Sequence, residues 1–462
     1  MTAPPRTRPA ASVRAVVGLL VLFEITSGFI QGGVVPLLPD LGDALGISTA
    51  DLNWVISVQL LAAAVSVPAF GRLGDLYGHR RMLRVALICV AAGSLLVAVA
   101  PSLPVLLLGR VLLGPLAALL PLEIALVRDR LPVEQARSAI ARLVGALTLG
   151  VLLGGVLSAG LHQAIGSVRG TLLVPAVLAL ICVPISFVAV PESGTLARGR
   201  LDVPGIVLLS LGMIGVLTGI STLSHSVVPG LVLLGAGVAV LAGWAILELR
   251  TADPLVDLRA LAVPTVAPYF ACSFVFGIVY FGSQSPDTTF LAADPDTAGY
   301  GFGLSALSIS LVSLPAAVAA IIGSAVTVRV AARLGYQRTL AGTFLAIAAG
   351  FTVTALFHDA VWQLVAIKVI LGLALGVALS AMPTVIAESA EPGRTGITTA
   401  LYNNVKTLGG AVAGGIVAAI LASVVLTASD TPRESAYVTV WLMCAALCVG
   451  AATLAARTRR AA

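Results

Sequence analysis

Five ionisable side chains lie where charge is expensive. Glu24, Arg110, Glu123, Lys368 and Lys406 fall inside long apolar runs of a chain that is 58% hydrophobic and 10% charged. At the centre of a membrane-spanning helix such a group costs about 2.5–3.5 kcal/mol or more, so each needs a partner or a task. Glu24 lies about 16 Å into a ~30 Å hydrocarbon core, counted from Val13 at the start of the first run. Ser27, Gly28 and Gln31 follow it at i+3, i+4 and i+7, one polar stripe on an otherwise apolar helix. Such a face suits a water-filled cavity. Burial favours the neutral form of a carboxyl and a nearby cation favours the ionised form. A group held between them can bind and release a proton; a structural ion pair is the other reading. Arg110 sits roughly 10 Å deep, with Glu24 in reach of its side chain. Arginine stays charged, so its role would be to tune the acid rather than carry the proton, or to pair with it for packing.

Lys368 and Lys406 are the only lysines in the chain. A buried lysine can lose its proton. Lys406 shares a helix face with Asn403 and Gly410, and Tyr402 and Thr407 widen that polar stripe. A positive C-terminal half suits anionic or zwitterionic cargo, or neutralises Glu24; hydrogen bonding to backbone carbonyls across a helix pair is the plainer alternative. Glu123, near the end of its helix, is expected to snorkel or to pair with a loop arginine. Asp287, after Pro286, belongs to an exit mouth or to a loop. Tyr269, Ser273, Phe276 and Tyr280 recur at i, i+4, i+7 and i+11, a stripe that stacks a flat apolar cargo or simply packs.

The elements that must position these groups are membrane helices. Soluble domains carry roughly 25% charged residues. Apolar runs of about 20 residues argue against a β-barrel, whose strands are about 10 residues long. The chain is therefore all-α and polytopic. Fourteen spans are expected near 13–37, 51–70, 82–100, 103–127, 138–161, 170–190, 204–224, 228–248, 263–283, 303–326, 339–357, 361–387, 396–424 and 435–456. The five cysteines fall in apolar runs without zinc-type spacing and read as packing residues. The Pro- and Arg-rich start carries no cleavage-type signal peptide, so the first run is a retained helix.

Basic residues sort by side. One set of loops holds Arg72, Arg80, Arg81, Arg84, Arg128, Arg130, Arg137, Arg198, Arg200, Arg250, Arg259, Arg329, Arg333, Arg338 and Arg394. Both termini belong to this set, and the opposite loops hold only Arg169 and Arg433. The positive-inside rule then puts both termini in the cytoplasm, which requires an even number of spans. The charge of +6 is spread along these loops and gives no nucleic-acid signal.

The halves repeat. Arg110 precedes Gly114 as Lys368 precedes Gly372, and Val328–Arg338 echoes residues 71–83 with Ala332 in place of Asp75. Two six-helix bundles are expected at 1–190 and 263–462, with an inserted pair of helices and connectors at 191–262, beginning at Pro191–Leu201.

Several segments carry a family resemblance. They are Gly71-Arg72-Leu73-Gly74-Asp75-Leu76-Tyr77-Gly78-His79-Arg80-Arg81-Met82-Leu83, Leu107–Gly114, Gly150-Val151-Leu152-Leu153-Gly154-Gly155, Pro254–Leu258, Gly299–Gly303 and Leu401–Gly415. Together the chain resembles the major facilitator superfamily, in its fourteen-helix drug:proton antiporter branch. Two residues depart from that pattern: Val151 stands where the antiporter motif has Pro, and Leu113 where the fourth-helix motif has Gln. The resemblance implies two six-helix bundles with two inserted helices. It implies proton-coupled export of amphipathic small molecules by alternating access. It assigns proton coupling to Glu24 and Arg110. It makes the loop with Gly71, Gly74, Asp75, Gly78, Arg80 and Arg81 a gate, Asp75 capping a helix and pairing with Arg80 or Arg81. Gly150, Gly154 and Gly155 are its tightly packed antiporter-type helix. Gln31, Tyr280, Asn403, Lys406 and Lys368 are expected along the cargo path.

There is no P-loop, metal cluster or Gly-x-Ser-x-Gly nucleophile in the sequence. No cofactor or enzymatic activity is expected, and a proton gradient is the expected energy source. The expected partners are an amphipathic small molecule, protons and the lipid bilayer, with the chain a monomer in a bacterial cytoplasmic membrane. The rival readings are an exporter of one endogenous metabolite or lipid, a transport-inactive sensor or scaffold, and a membrane enzyme.

Overall fold

In a bilayer every backbone N–H and C=O must be satisfied within the protein, which makes the α-helix the default for apolar runs of this length. The computed structural model describes residues 10–128, 131, 133–189, 202–223, 226–251, 254, 256, 258–261, 266–389, 395–425 and 431–457. Among them are α-helices, two short 3₁₀ turns and one bridge between Val425 and Pro432.

The first span is the helix Ala10–Gly33, continued through a 3₁₀ turn at Val35–Leu37 and a short helix Leu38–Leu45. The second and third are Thr49–Tyr77 and His79–Val99. The fourth is built from Leu103–Leu112, a 3₁₀ turn Gly114–Ala118 and Leu119–Arg128. The fifth to eighth are Val133–Ile165, Val168–Ala189, Val203–Leu223 and Val227–Arg250. The ninth is split into Ala267–Gly282 and Gln284–Ala292. The tenth to fourteenth are Ala306–Leu334, Tyr336–Leu356, Val361–Ser389, Thr395–Ser423 and Glu434–Arg457. Thirteen of these spans are long and apolar enough to cross a membrane as single stretches. The split ninth span makes the fourteenth crossing.

Proline sets both breaks. It has no N–H and its ring clashes with the carbonyl four residues back. Pro115 therefore ends the helix near Leu112, and Pro286 ends the preceding helix at Gly282. The fourth span resumes after its 3₁₀ turn with a changed angular register, which decides where Glu123 points.

Residues 71–81 are not a long loop. The second span runs to Tyr77 and the third starts at His79, so a single residue, Gly78 (φ 101°, ψ 128°), turns the chain. That φ favours glycine. Gly335 (φ 79°, ψ 149°) does the same between the tenth and eleventh spans. Gly78 N–H donates to Gly74 and Met82 N–H to Gly78; Gly335 N–H donates to Ala331 and Thr339 N–H to Gly335. The sequence echo is thus a repeat of backbone conformation.

Glycines also set helix approach in pairs related by the repeat. A Cβ on Gly28 or Gly150 would run into the other span's backbone, packing the first against the fifth. Gly277 and Gly409 do this for the ninth and thirteenth. Gly114 lies on the Ala62 backbone and Gly372 on that of Ala316. Small residues at such crossings are the usual means of close packing in membranes.

One apolar core gathers the first six spans, including Leu20, Phe23, Leu83, Leu106, Leu143 and Cys182. A second gathers the last six and takes in Leu209, Met213 and Leu217 of the seventh. The halves meet toward the face opposite the termini: Ser310 Oγ donates to Gly155 O at 2.9 Å, and Gly414 lies against Ser57. The connector 191–201 lies outside the described residues.

Candidate functional site

Glu24 and Glu123 come together in the N-terminal half. Both are wholly buried, at 0% exposure. Their carboxyls lie within electrostatic reach of each other, and the Cys182 thiol is beside Glu123. That thiol donates to Thr26 Oγ at 3.6 Å. None of the four carboxyl oxygens has a hydrogen-bond partner outside the pair itself. Burying an unpaired carboxylate costs several kcal/mol, and two in one low-dielectric chamber repel as well. The chamber can hold a proton far more readily than it can hold two charges.

The expected partner of Glu24 is elsewhere. Arg110 is 2% exposed, and its Nε donates to the Val55 carbonyl of the second span at 2.7 Å. No ion pair joins it to Glu24. Glu123 neither snorkels nor meets an arginine, contrary to expectation, because the resumed helix after Pro115 points it inward. Two fixed elements hold the chamber: the Gly28–Gly150 contact clamps the first span, and Gly154 lies against the Phe29 backbone. Gly155 has room around it and offers its carbonyl to Ser310. Gln31 is exposed and donates to Ser27 Oγ at 3.1 Å.

In the C-terminal half Lys368 does not bond to backbone carbonyls. Its Nζ lies 2.6 Å from Asp287 Oδ2, and Trp441 Nε1 donates to Asp287 Oδ1 at 3.0 Å. Asp287 stands in the second piece of the split ninth span rather than in a loop. Around it Phe290, Tyr300, Tyr437 and Trp441 stack or meet edge to face.

Lys406 is partly exposed, and its ammonium lies 5.5 Å from the Tyr402 ring centre. The aromatic stripe is mainly core: Tyr269 is 7% exposed and Ser273 and Phe276 are fully buried. Tyr280 alone remains partly open, stacked on Phe276 with centroids 5.6 Å apart. Asn403 is partly exposed and accepts through its carbonyl from Thr407.

At the Gly78 turn, Asp75 pairs with His79 Nε2 at 3.2 Å. The expected partners Arg80 and Arg81 do not fill that role: Arg80 Nε is buried without a hydrogen-bond partner and Arg81 is exposed. The one-residue turn at Gly78 brings the first residue of the third span back onto the last turn of the second, which puts His79 rather than the arginines beside Asp75. Gly74 packs beside His79 and Leu122, while Gly71 has open space. Arg128 and Arg142 follow in the described helices; Arg130, Arg198, Arg200, Arg394 and Asp257 lie outside the described residues.

The chain is 27% identical over 442 residues to the multidrug efflux pump LfrA of Mycolicibacterium smegmatis (strain ATCC 700084 / mc(2)155), covering 93% of this chain and 84% of that protein. It is 29% identical over 394 residues to the puromycin resistance protein pur8 of Streptomyces alboniger, covering 83% and 77%. Among solved structures, the nucleoside transporter NupG has a TM-score of 0.69 at 13% identity, covering 97% of this chain and all of that one, which is a likeness of fold. The profile of the Major Facilitator Superfamily matches residues 20–414 and, again, 270–461. With two helical bundles built on one repeat, and that match across most of its length, the chain belongs to the Major Facilitator Superfamily.

Proposed function

We propose that the chain is a proton-coupled exporter of amphipathic small molecules in a bacterial cytoplasmic membrane. The observation that carries this reading is the Glu24–Glu123 pair, two wholly buried carboxyls that face each other with no cation and no other hydrogen-bond partner. The relatives named for drug efflux and antibiotic resistance support the export direction. A proton enters the pair from outside as cargo leaves. It passes to the cytoplasm when the halves re-open inward and new cargo binds. Arg110, tied to the second span, keeps a fixed positive charge on the same span as Glu123.

The cargo path runs between the halves, with Gln31 on one side and Tyr280, Asn403 and Lys406 on the other. Lys368, held by Asp287, steadies the split ninth span at its margin. The single-glycine turn at Gly78, with Asp75 and His79, gates the side bearing the termini. Gly71, Arg80 and Arg81 belong to that gate, and the closely packed Gly150 and Gly154 preserve the fifth span's fit to the first. The bundles are 1–190 and 263–462 with the inserted pair at 191–262, and one chain is the working unit. Both termini face the cytoplasm, as the arginine distribution requires.

Everted membrane vesicles energised to carry an inward-acid gradient test this. A panel of cationic, neutral and anionic amphiphiles should include at least one that accumulates only in vesicles holding the protein. That accumulation should collapse on adding a protonophore. Accumulation that ignores the protonophore would contradict proton coupling.

A further inference from the structure

Among the described residues buried within the spans, Lys406 is the cation whose charged end meets neither a carboxylate nor a backbone carbonyl. Arg110 is spent on the Val55 carbonyl and Lys368 on Asp287. Lys406 lies mid-span in the thirteenth helix, partly exposed, and no carboxylate or carbonyl accepts from its ammonium; its close neighbour is the face of the Tyr402 ring. The Tyr402 hydroxyl is itself buried and has no hydrogen-bond partner. The thirteenth span meets the ninth so closely that Gly277 abuts the Lys406 backbone. That places the partly open Tyr280, backed by Phe276 and edge-on to Phe281, in the same region. Tyr280 and Tyr402 are electrostatic neighbours. The counter-charges of the other half are not available, because all four oxygens of Glu24 and Glu123 are shut off from solvent.

We infer that the cargo is a flat aromatic molecule bearing an anionic oxygen, a carboxylate or phenolate. That oxygen docks on the partly exposed Lys406 ammonium. The ring lies against Tyr280. The inference rests on the exporter reading and narrows it. A cation at this position would meet like charge, whereas an anion answers the unpaired ammonium in a low-dielectric place. Export of an anion also carries negative charge outward, so the inside-negative potential assists it.

Three probes with one ring system isolate the charge: 9-anthracenecarboxylate, 9-anthracenemethanol and 9-(aminomethyl)anthracene. Each is titrated onto the full-length detergent-purified protein by fluorescence and then followed across proteoliposomes. The carboxylate should bind about tenfold or more tighter than the amine, a difference of about 1.4 kcal/mol. Lys406→Gln should erase that preference and Lys406→Arg should retain most of it. Equal or tighter binding of the amine, no carboxylate binding up to its solubility, or unchanged carboxylate affinity in a folded Lys406→Gln protein would each overturn the inference. Transport of the amine or alcohol alone would overturn it and leave the exporter reading standing. Lys406-dependent carboxylate binding without any movement across the liposome would support the aromatic-acid site and count against export.

Discussion

At the scale of single residues, the acids of the N-terminal half and the ion pair of the C-terminal half differ in kind. Glu24 and Glu123 are buried with no partner outside the pair, while Lys368 and Asp287 satisfy each other. A buried carboxyl with no cation beside it costs stability rather than supplying it. Glu123→Leu should therefore leave the Tm in detergent unchanged or raised while proton-coupled transport is lost. A clear fall in Tm would mean that the carboxyl holds a structural bond. The ion pair predicts the opposite. Lys368→Met alone should destabilise by about 1–3 kcal/mol, because Asp287 keeps its charge at 22% exposure with only Trp441 to answer it. Adding Asp287→Asn should recover part of that loss, measured as a double-mutant cycle. Additive losses would show that the 2.6 Å contact carries no coupling.

At the scale of elements, helix crossings depend on glycines whose neighbours are backbone. Gly150→Val should separate the first and fifth spans, because its side chain meets the Ile25 and Gly28 backbone. The expected result is a loss of about 2 kcal/mol or more, or of folded yield, whereas Gly145→Ala, into open space, should change stability by no more than about 0.5 kcal/mol. Equal effects at the two positions would refute the clamp. Gly78→Ala and Gly335→Ala should each cost about 1–2 kcal/mol for the positive φ they impose on a side chain. Thermal unfolding of the two variants checks this, and an unchanged Tm would show that the turns can relax. Much of this level was legible in the sequence. The spans, their number and the repeat follow from apolar run length and from matching glycines. The fifth helix was marked by its glycines, but Gly28 as partner of Gly150 was not. Helix faces meet in three dimensions and the sequence orders them in one. The meeting of Glu24 with Glu123 was missed for a related reason. Their alignment depends on the change of register after Pro115, and Pro115 signals a break without its rotation. Periodicity likewise could not tell that Tyr269 and Phe276 face a core while Tyr280 stays partly exposed.

For the whole molecule, the two bundles meet at one end, with a buried acid pair inside the N-terminal half and a cation without a charged partner in the C-terminal half. In the proposed cycle proton entry neutralises the N-terminal half, and cargo answers the charge of the C-terminal half. In the proposed orientation, with the arginine-rich loops inside, tags or engineered cysteines at both termini should be reached only from the cytoplasmic side. Labelling of either terminus from outside intact cells would reverse the transport direction assigned to it. The central claim is that the Glu24–Glu123 chamber carries the coupled proton. Its most direct test is proton flux in proteoliposomes under a pH gradient, with an exported amphiphile added to the wild type, Glu24→Gln and Glu123→Gln. The account predicts cargo-triggered flux in the wild type and a loss of about a hundredfold or more in each folded variant, since either substitution removes a group the shared proton requires. Flux that persists at the wild-type rate in both variants would contradict it.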